Sequence, residues 1–429
     1  MAWRSETYAG WGRALTATGE VARPERLSAL QALEPSPAMG KRRSYGDACL
    51  NDAGRIVDMS RLDRFLGFKD GVLHVEAGAR LGEIVRTFGP KGWLPPVVPG
   101  TGFATVGGAI ANDVHGKNHQ AGSFGTHVEE ITLWSAGKEH RIKPGSAAFA
   151  ATAGGLGQTG IITAAKIRMT PIDGTIMCVH ERRMEGWDEF LEELANSSAT
   201  YSVGWIDATA KGSKLGRGIL EEAEIGDGGI PKAGKSKSVP LDAPGFALSG
   251  PVVRAFNATY LRRVPVTGRK VKRSFNDFFF PLDRIHDWNR LYGKKGFHQF
   301  QCVVPLESAP ALRNMLQLIA EAGLASPLAV LKRMGPEVAG MMSFPMEGLT
   351  LAVDFPAKRG AAELIARLEE MTLDAGGRIY FAKDALSTPA VVDAMYPKRA
   401  AWAKQVAKMD PDGAFETDLV RRLELRRQT

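Results

Sequence analysis

The segment from Pro99 to Gly125, PGTGFATVGGAIANDVHGKNHQAGSFG, constrains this chain more than any other, because glycines recur through it among small polar residues. Glycine tolerates positive φ and carries no Cβ, so so bare a backbone can lie directly against a ligand. The interspersed Thr, Asn, Ser and His fit a phosphate or pyrophosphate cradled by backbone N–H groups. A loop that merely connects two elements would not need Val106, Ala109, Ile110 and Val114 threaded through it. Those apolar positions anchor the cradle to a core.

The chain has 429 residues, 44% of them hydrophobic and 24% charged, enough for a full core and two domains. That excludes disordered and fibrous classes. The first thirty residues lack the apolar region of a signal peptide, and no run of about eighteen apolar residues occurs, which predicts a cytoplasmic protein. Cys49, Cys178 and Cys302 are widely spaced with no CxxC pair, so neither a disulfide framework nor a metal site is expected, and buried free thiols are. The net charge of +8 and pI near 9.3 favour anionic partners. The basic residues are dispersed, with no finger spacing or aromatic-basic recognition motif, and nucleic acid is not an expected partner.

Short apolar runs at Ile56–Met59 and Val72–Val75, followed by a helix-like stretch from Leu81 to Phe88, give α+β texture. In EGWDEFLEELANSS, Trp187, Phe190, Leu191 and Leu194 fall at helical spacing and open a second domain. Residues 211–246 are rich in Gly, Lys, Ser and Pro and read as a flexible excursion. From residue 297 the pattern runs strand (FHQFQCVVP), helix, strand (LAVLKRMG), strand (TLAVDFP), helix and strand (RIYFAKD), a sheet with helices on one face. Two motif matches fail on context. Gly155, Gly157 and Gly160 satisfy GxGxxG, but IITAAKIRMTP after them reads as a strand, leaving no helix N-terminus for a dinucleotide. GIPKAGKS at 229–236 satisfies the P-loop pattern, but Pro240 and Pro244 deny the helix that must follow, and a linker is the better reading.

Three separated segments, KRRSYGDACLN (41–51), the glycine-rich segment at 99–125, and GGLGQTGIIT (154–163), together resemble the FAD-binding domain of the vanillyl-alcohol-oxidase-type flavoproteins. HGKNH (115–119), GWIDATAKG (204–212), WNRLYGKKGFHQFQCVVP (288–305), SFPMEGLTLAVDFP (343–356), GGRIYFAKD (376–384) and FETDLVRRLEL (415–425) narrow the resemblance to the decaprenylphosphoryl-β-D-ribose 2'-oxidase branch. It runs in order over nearly the whole chain. The resemblance implies a two-domain α+β flavoprotein: an FAD domain over 1–172, a substrate domain over 173–376, and a C-terminal segment, 377–429, that returns to the FAD domain. It implies oxidation of the 2'-hydroxyl of a polyprenyl-phosphoryl ribose to a ketone by hydride transfer to flavin N5. A partner NADH-dependent reductase would complete epimerisation to arabinose, for cell-wall arabinan. Arg43 stands where several related oxidases tether flavin through a His, which implies non-covalent FAD. Two rivals are an oxidase of soluble sugars or aldonolactones and a flavin-bearing partner subunit without turnover.

By position in the matched motifs, the resemblance assigns Ser44, Tyr45, Gly46, Pro99, Gly100, Thr101, Thr105, Val106, Gly107, Gly108, Ala109, Ile110, Asn112, His115, Gly116, Asn118, Ser123, Phe124, Gly125 and Ile162 to the FAD. It assigns catalysis to Lys383, His115 and Tyr380. Lys117, Trp205, Gln299, Gln301, Lys332, Thr350 and Asp354 fall to the substrate. A desolvated lysine can move a proton and a charged one can steer a phosphate. This chain departs from the branch at Thr350 and Ala352, where relatives carry Asn and Cys. PVVRAFNATYLRR (251–263) is short, basic and amphipathic, and points to peripheral contact with the inner face of a membrane.

Overall fold

The computed structural model describes residues 3–229, 231 and 236–427. Two small sheets form the N-terminal part. One carries Arg4–Ala9, Thr16–Ala22, Arg55–Asp58 and Ala38–Met39 in that spatial order. The other orders Phe65–Lys69, Val72–Glu76, Ile161–Arg168, Val128–Ser135 and Lys138–Ile142. The helix Leu81–Phe88 buries Leu81, Ile84, Val85 and Phe88 along one stripe, the period a core-docked helix needs. Ile161–Arg168 follows the 155–160 glycines as a strand, as its sequence predicts.

Strands between Ile176 and Ile379, with Arg269–Arg273 at one edge, build one eight-stranded sheet. Its order is Arg269–Arg273, Ile176–Met184, Gly218–Gly226, Tyr201–Ile206, Ala329–Met334, Gly348–Pro356, Phe297–Val304, Arg378–Ile379, and every pairing is antiparallel. Strand side chains alternate between faces. Leu349, Leu351, Val353 and Phe355 therefore point to the helices Ala309–Ala322 and Ala361–Asp374, where they meet Leu312, Leu316, Ile319, Leu364 and Leu368. The intervening positions face the other way, and that second face becomes the floor of the site.

Three expectations need correction. Residues 211–246 are not one excursion, because Gly218–Gly226 is an interior strand with Ile219, Leu220 and Ala223 buried. Most of the P-loop match at 229–236 lies outside the described residues. The strand read over RIYFAKD is only Arg378–Ile379; Tyr380 to Lys383 form a turn closed by the Lys383 N–H donating to the Tyr380 carbonyl at 2.9 Å. Cys178 is exposed, whereas Cys49 and Cys302 are buried. The C-terminal helix Arg399–Met409 packs on Ala147–Thr152, and the Trp402 indole donates to the Ala151 carbonyl at 3.0 Å. No helix among the described residues is long and apolar enough to cross a membrane.

Candidate active site

A cavity of about 1070 Å³ runs between the glycine-rich segment and the free face of the large sheet. That exceeds the usual space for one drug-sized ligand. Of the residues matched to the cofactor, Ser44, Tyr45, Pro99, Gly100, Thr101, Thr105, Gly107, Gly108, Asn112, His115, Gly116 and Ile162 lie on its wall. Gly100 is bare toward it: a Cβ built there meets no atom within 4 Å. The same holds for Gly157, at φ 74°, which also lies on the wall and was not assigned from sequence. Its signal was the GxGxxG match set aside for want of a helix. The Asn112 amide donates to the Gly108 carbonyl at 2.9 Å, while its Oδ1 is buried without a partner. Bare glycine backbone and an unpaired buried acceptor fit an extended polar cofactor on this wall.

The remaining matched positions lie elsewhere. Val106, Ala109, Ile110 and Phe124 are core side chains with at most 1% exposure. The amides of Val106 and Gly107 donate to the Ala79 and Ala77 carbonyls, and those of Gly108 and Ala109 to Thr105 Oγ1 and the Thr105 carbonyl. These four amides are committed within the fold and are not free for phosphates, which leaves the bare backbone of the wall, as at Gly100 and Gly157. Gly46 is a packing glycine, since a Cβ there would run into the Asp384 carbonyl. Gly125 is closed in by Asp113 and the Ala339 methyl. Asn118 caps the turn His119–Ala121, and the Ser123 N–H donates to the Glu337 carbonyl. Asp113 was missed: fully buried at φ 39°, it accepts from the Gly125 N–H at 2.7 Å, the Ala339 N–H at 3.1 Å and Ser343, clamping the cradle to the large-sheet module.

On the sheet side of the cavity Lys332, Lys383, His115, Tyr380, Gln299 and Gln301 converge against that wall, and Lys117 and Trp205 line the same cavity. Gln301 donates from Nε2 to His115 Nε2 at 3.0 Å and to Thr350 Oγ1 at 3.2 Å. The Lys332 amine lies 3.0 Å from His115 Nδ1 and donates to the Gly116 carbonyl at 3.1 Å; with Gln301 donating to Nε2, the neutral form of Lys332 accepts the proton on Nδ1. Burial, then the charges of Lys117 and Lys383, pull Lys332 down to about 7. Burial and Lys332 hold His115 well below the usual histidine range, so it stays neutral. Lys383 places its Nζ 3.5 Å from the Tyr45 ring centroid, and burial pulls it down while Asp354 pulls it up. Lys117 donates to the Phe278 carbonyl over the Phe278 ring, and burial lowers it to about 8. Tyr380 stacks on Phe344 at 4.5 Å, and burial keeps its phenol protonated.

Thr350 and Asp354 are off the wall, and both are corrected from substrate contacts to groups that hold wall residues. Thr350 anchors Gln301; Asp354, fully buried and pushed up by burial, accepts from Gln299 and from the Tyr292 hydroxyl at 3.0 Å. Ala352, between them in register, is on the wall. Arg43, read from sequence only as a missing tether, also lines the cavity, its guanidinium 4.0 Å from the Trp11 ring and 4.4 Å from that of Phe103.

Comparison with known proteins agrees with this geometry. Residues 31–142 match the FAD binding domain family. The chain is 36% identical over 408 residues to decaprenylphosphoryl-beta-D-ribose oxidase of Mycolicibacterium smegmatis, covering 90% of this chain and 89% of that protein. It is 31% identical to an uncharacterised protein of Streptomyces coelicolor, over 81% of this chain and 99% of the other. Among solved structures, a variant of cholesterol oxidase from Brevibacterium sterolicum superposes with a TM-score of 0.68 at 13% identity, covering 98% of this chain and 97% of the other, and shares its fold. The chain is therefore an FAD-dependent oxidoreductase and belongs to the decaprenylphosphoryl-β-D-ribose oxidase family.

Proposed function

We propose that this enzyme oxidises the 2'-hydroxyl of a polyprenyl-phosphoryl ribose to the ketone. The observation that carries the reading is the convergence of Lys332, Lys383 and His115 on a cavity that bare glycine backbone also lines. So many basic nitrogens cannot all be charged in a buried space, so neutral amines stand ready to take a proton near neutral pH. Bound FAD supplies the hydride acceptor for the carbinol carbon, and Gly100, Thr101, Gly157, Asn112, Ser44 and Tyr45 would hold it without a covalent link. Lys383 accepts the hydroxyl proton as the carbonyl forms. The His115–Lys332 pair orients the sugar through neutral hydrogen bonds, and Gln299 and Gln301 fix the neighbouring hydroxyls. Phe344 and Tyr380 exclude water from that cluster.

The substrate class rests on the relative named for a decaprenylphosphoryl ribose. Inversion to arabinose would require the ketone to be reduced again, hence a separate NADH-dependent reductase as partner. Exposed Leu241, Phe246, Val252, Phe256 and Val266 beside Arg254 and Arg262 support peripheral contact with an anionic bilayer. That contact predicts co-sedimentation with anionic liposomes that salt abolishes. The main experiment is the anaerobic visible spectrum of the holoprotein with a short-chain prenyl-phosphoryl ribose. Bleaching of the oxidised flavin band supports the reading; a flavin that stays oxidised with it but bleaches with a soluble alditol or aldonolactone replaces it.

A further inference from the structure

The helix Gly250–Arg262 docks through Val253, Asn257 and Leu261, and carries an aromatic stripe whose inner member, Tyr260, packs on that docking face while its outer member, Phe256, is exposed. Phe256, 50% exposed, stacks on Tyr260 at 5.9 Å and 14°. Tyr260 in turn meets Trp205 at 4.7 Å, and both Tyr260 and Trp205 line the cavity. Trp205 is fixed by its indole N–H, which donates to the Pro327 carbonyl at 2.8 Å. Val252, one turn before Phe256, extends the stripe into solvent. The result is an unbroken apolar ladder from the cavity to the protein surface.

Beside its inner rung the wall is cationic. The Arg263 guanidinium lies 4.4 Å from the Tyr260 ring centroid and donates to the Tyr260 hydroxyl at 3.1 Å. Arg273 and Lys117 line the same stretch, opposed by Glu221. Glu221 sits directly across from Glu181 on the neighbouring strand, a repulsive pairing held together because Arg263 and Arg273 each bond to both carboxylates and Arg269 bonds to Glu181. The carboxylates thus organise the guanidiniums without cancelling the positive wall.

We infer that the Trp205–Tyr260–Phe256 ladder seats the first isoprene units of the substrate, with its phosphodiester at the cationic wall beside Arg263. This rests on the prenyl-phosphoryl reading above. A sugar at the lysine cluster, a phosphate at the arginine wall and a tail over the ladder follow the order sugar, phosphate, lipid of such a molecule. The tail leaves at the exposed face that carries Val252 and Phe256, so a long chain can remain in a bilayer while its head group is oxidised.

The test is equilibrium binding of farnesyl phosphate, isopentenyl phosphate and farnesol to the holoenzyme, wild type and F256A, by calorimetry. Half-exposed Phe256 can be truncated without unfolding the helix, which circular dichroism verifies. F256A should weaken farnesyl phosphate about fivefold and leave isopentenyl phosphate unchanged, from the apolar area lost. Farnesol should bind wild type at least about tenfold more weakly than farnesyl phosphate for want of the charge-assisted contact. Unchanged farnesyl phosphate affinity in F256A, while prenyl-phosphoryl ribose still bleaches the flavin, would overturn the ladder and leave the proposed reaction standing. Farnesol binding as tightly as its phosphate would overturn the phosphate seat. Phe256-dependent prenyl phosphate binding without bleaching by any prenyl-phosphoryl ribose would keep the ladder and remove the ribose.

Discussion

Replacing Gly100 by Ala separates the cofactor cradle from the fold that carries it. The added methyl meets no protein atom within 4 Å, and Gly100 does not occupy the left-handed region, so nothing in the protein opposes it. The folded protein should be as stable as wild type or slightly more so, because Ala narrows the unfolded ensemble by about 0.4–1 kcal/mol. The methyl does project into the cavity, where bound FAD would have to yield to it. Overpacking by one methyl costs about 1–3 kcal/mol, so FAD should bind roughly 5- to 150-fold more weakly. Titrating apoprotein with FAD and following flavin fluorescence gives the dissociation constant, and a thermal melt of the apoprotein gives the stability. Gly46→Ala is the control with opposite behaviour: its Cβ would collide with the Asp384 carbonyl and the Ala385 backbone, neither of which can swing aside, and the apoprotein itself should lose stability. If G100A binds FAD with wild-type affinity, the cofactor does not lie on this backbone and the wall has been misassigned.

If Lys383 takes the hydroxyl proton, K383M should slow flavin reduction by about 10²- to 10⁴-fold in stopped flow. A raised KM with an unchanged limiting rate would instead make Lys383 a phosphate-steering group. Because Lys332 is held near 7 and Lys383 is lowered by burial, the wild-type reduction rate should rise with pH through about 7 as these amines lose protons, and a flat profile from pH 5.5 to 8.5 contradicts that. Burial, then the neighbouring Asp384 charge, pushes Glu369 up from 4.5 to about 8. The folded state therefore holds a proton the unfolded state has released between those values, and stability falls as pH rises through that window, by on the order of 4 kcal/mol. The advantage of E369Q over wild type in thermal melts should grow from pH 5 to pH 9; a constant difference would place Glu369 in water. Ala352 puts a methyl on the cavity wall where the branch carries a thiol, so compounds that capture that thiol should form no active-site adduct with wild type and should form one with A352C, read by intact mass.

Local periodicity carried much of the architecture. The helix Leu81–Phe88 and the alternation through Gly348–Pro356 are visible because one buried face imposes a period on neighbouring residues. The interior strand Gly218–Gly226 was hidden because its pattern sits inside a stretch whose Gly, Lys, Ser and Pro content reads as linker. The short run RIYFA suits either a strand or a turn packed in the core, and tertiary packing chose the turn that brings Lys383 over Tyr45. The arginine–glutamate wall had no signal at all, since Glu181, Glu221, Arg263 and the pair Arg269 and Arg273 come from four separate elements and meet only when the strands pair.

Glycine shows the sharper boundary between what a motif says and what the fold decides. Gly46 and Gly100 both fall in segments that match one cofactor-binding pattern, yet one is required by the Asp384 carbonyl behind it and the other faces open space. Gly157 belongs to a dinucleotide motif that fails for want of a helix, yet its backbone is as bare toward the cavity as that of Gly100. A glycine in a sequence states only that a Cβ is unwelcome. Whether protein or ligand forbids it depends on which atoms stand along the missing bond, and those atoms arrive from residues hundreds of positions away, as Asp384 does for Gly46. The same reasoning explains why four committed amides, from Val106 to Ala109, could sit inside the most recognisable segment of the chain and still leave the cofactor to its neighbours.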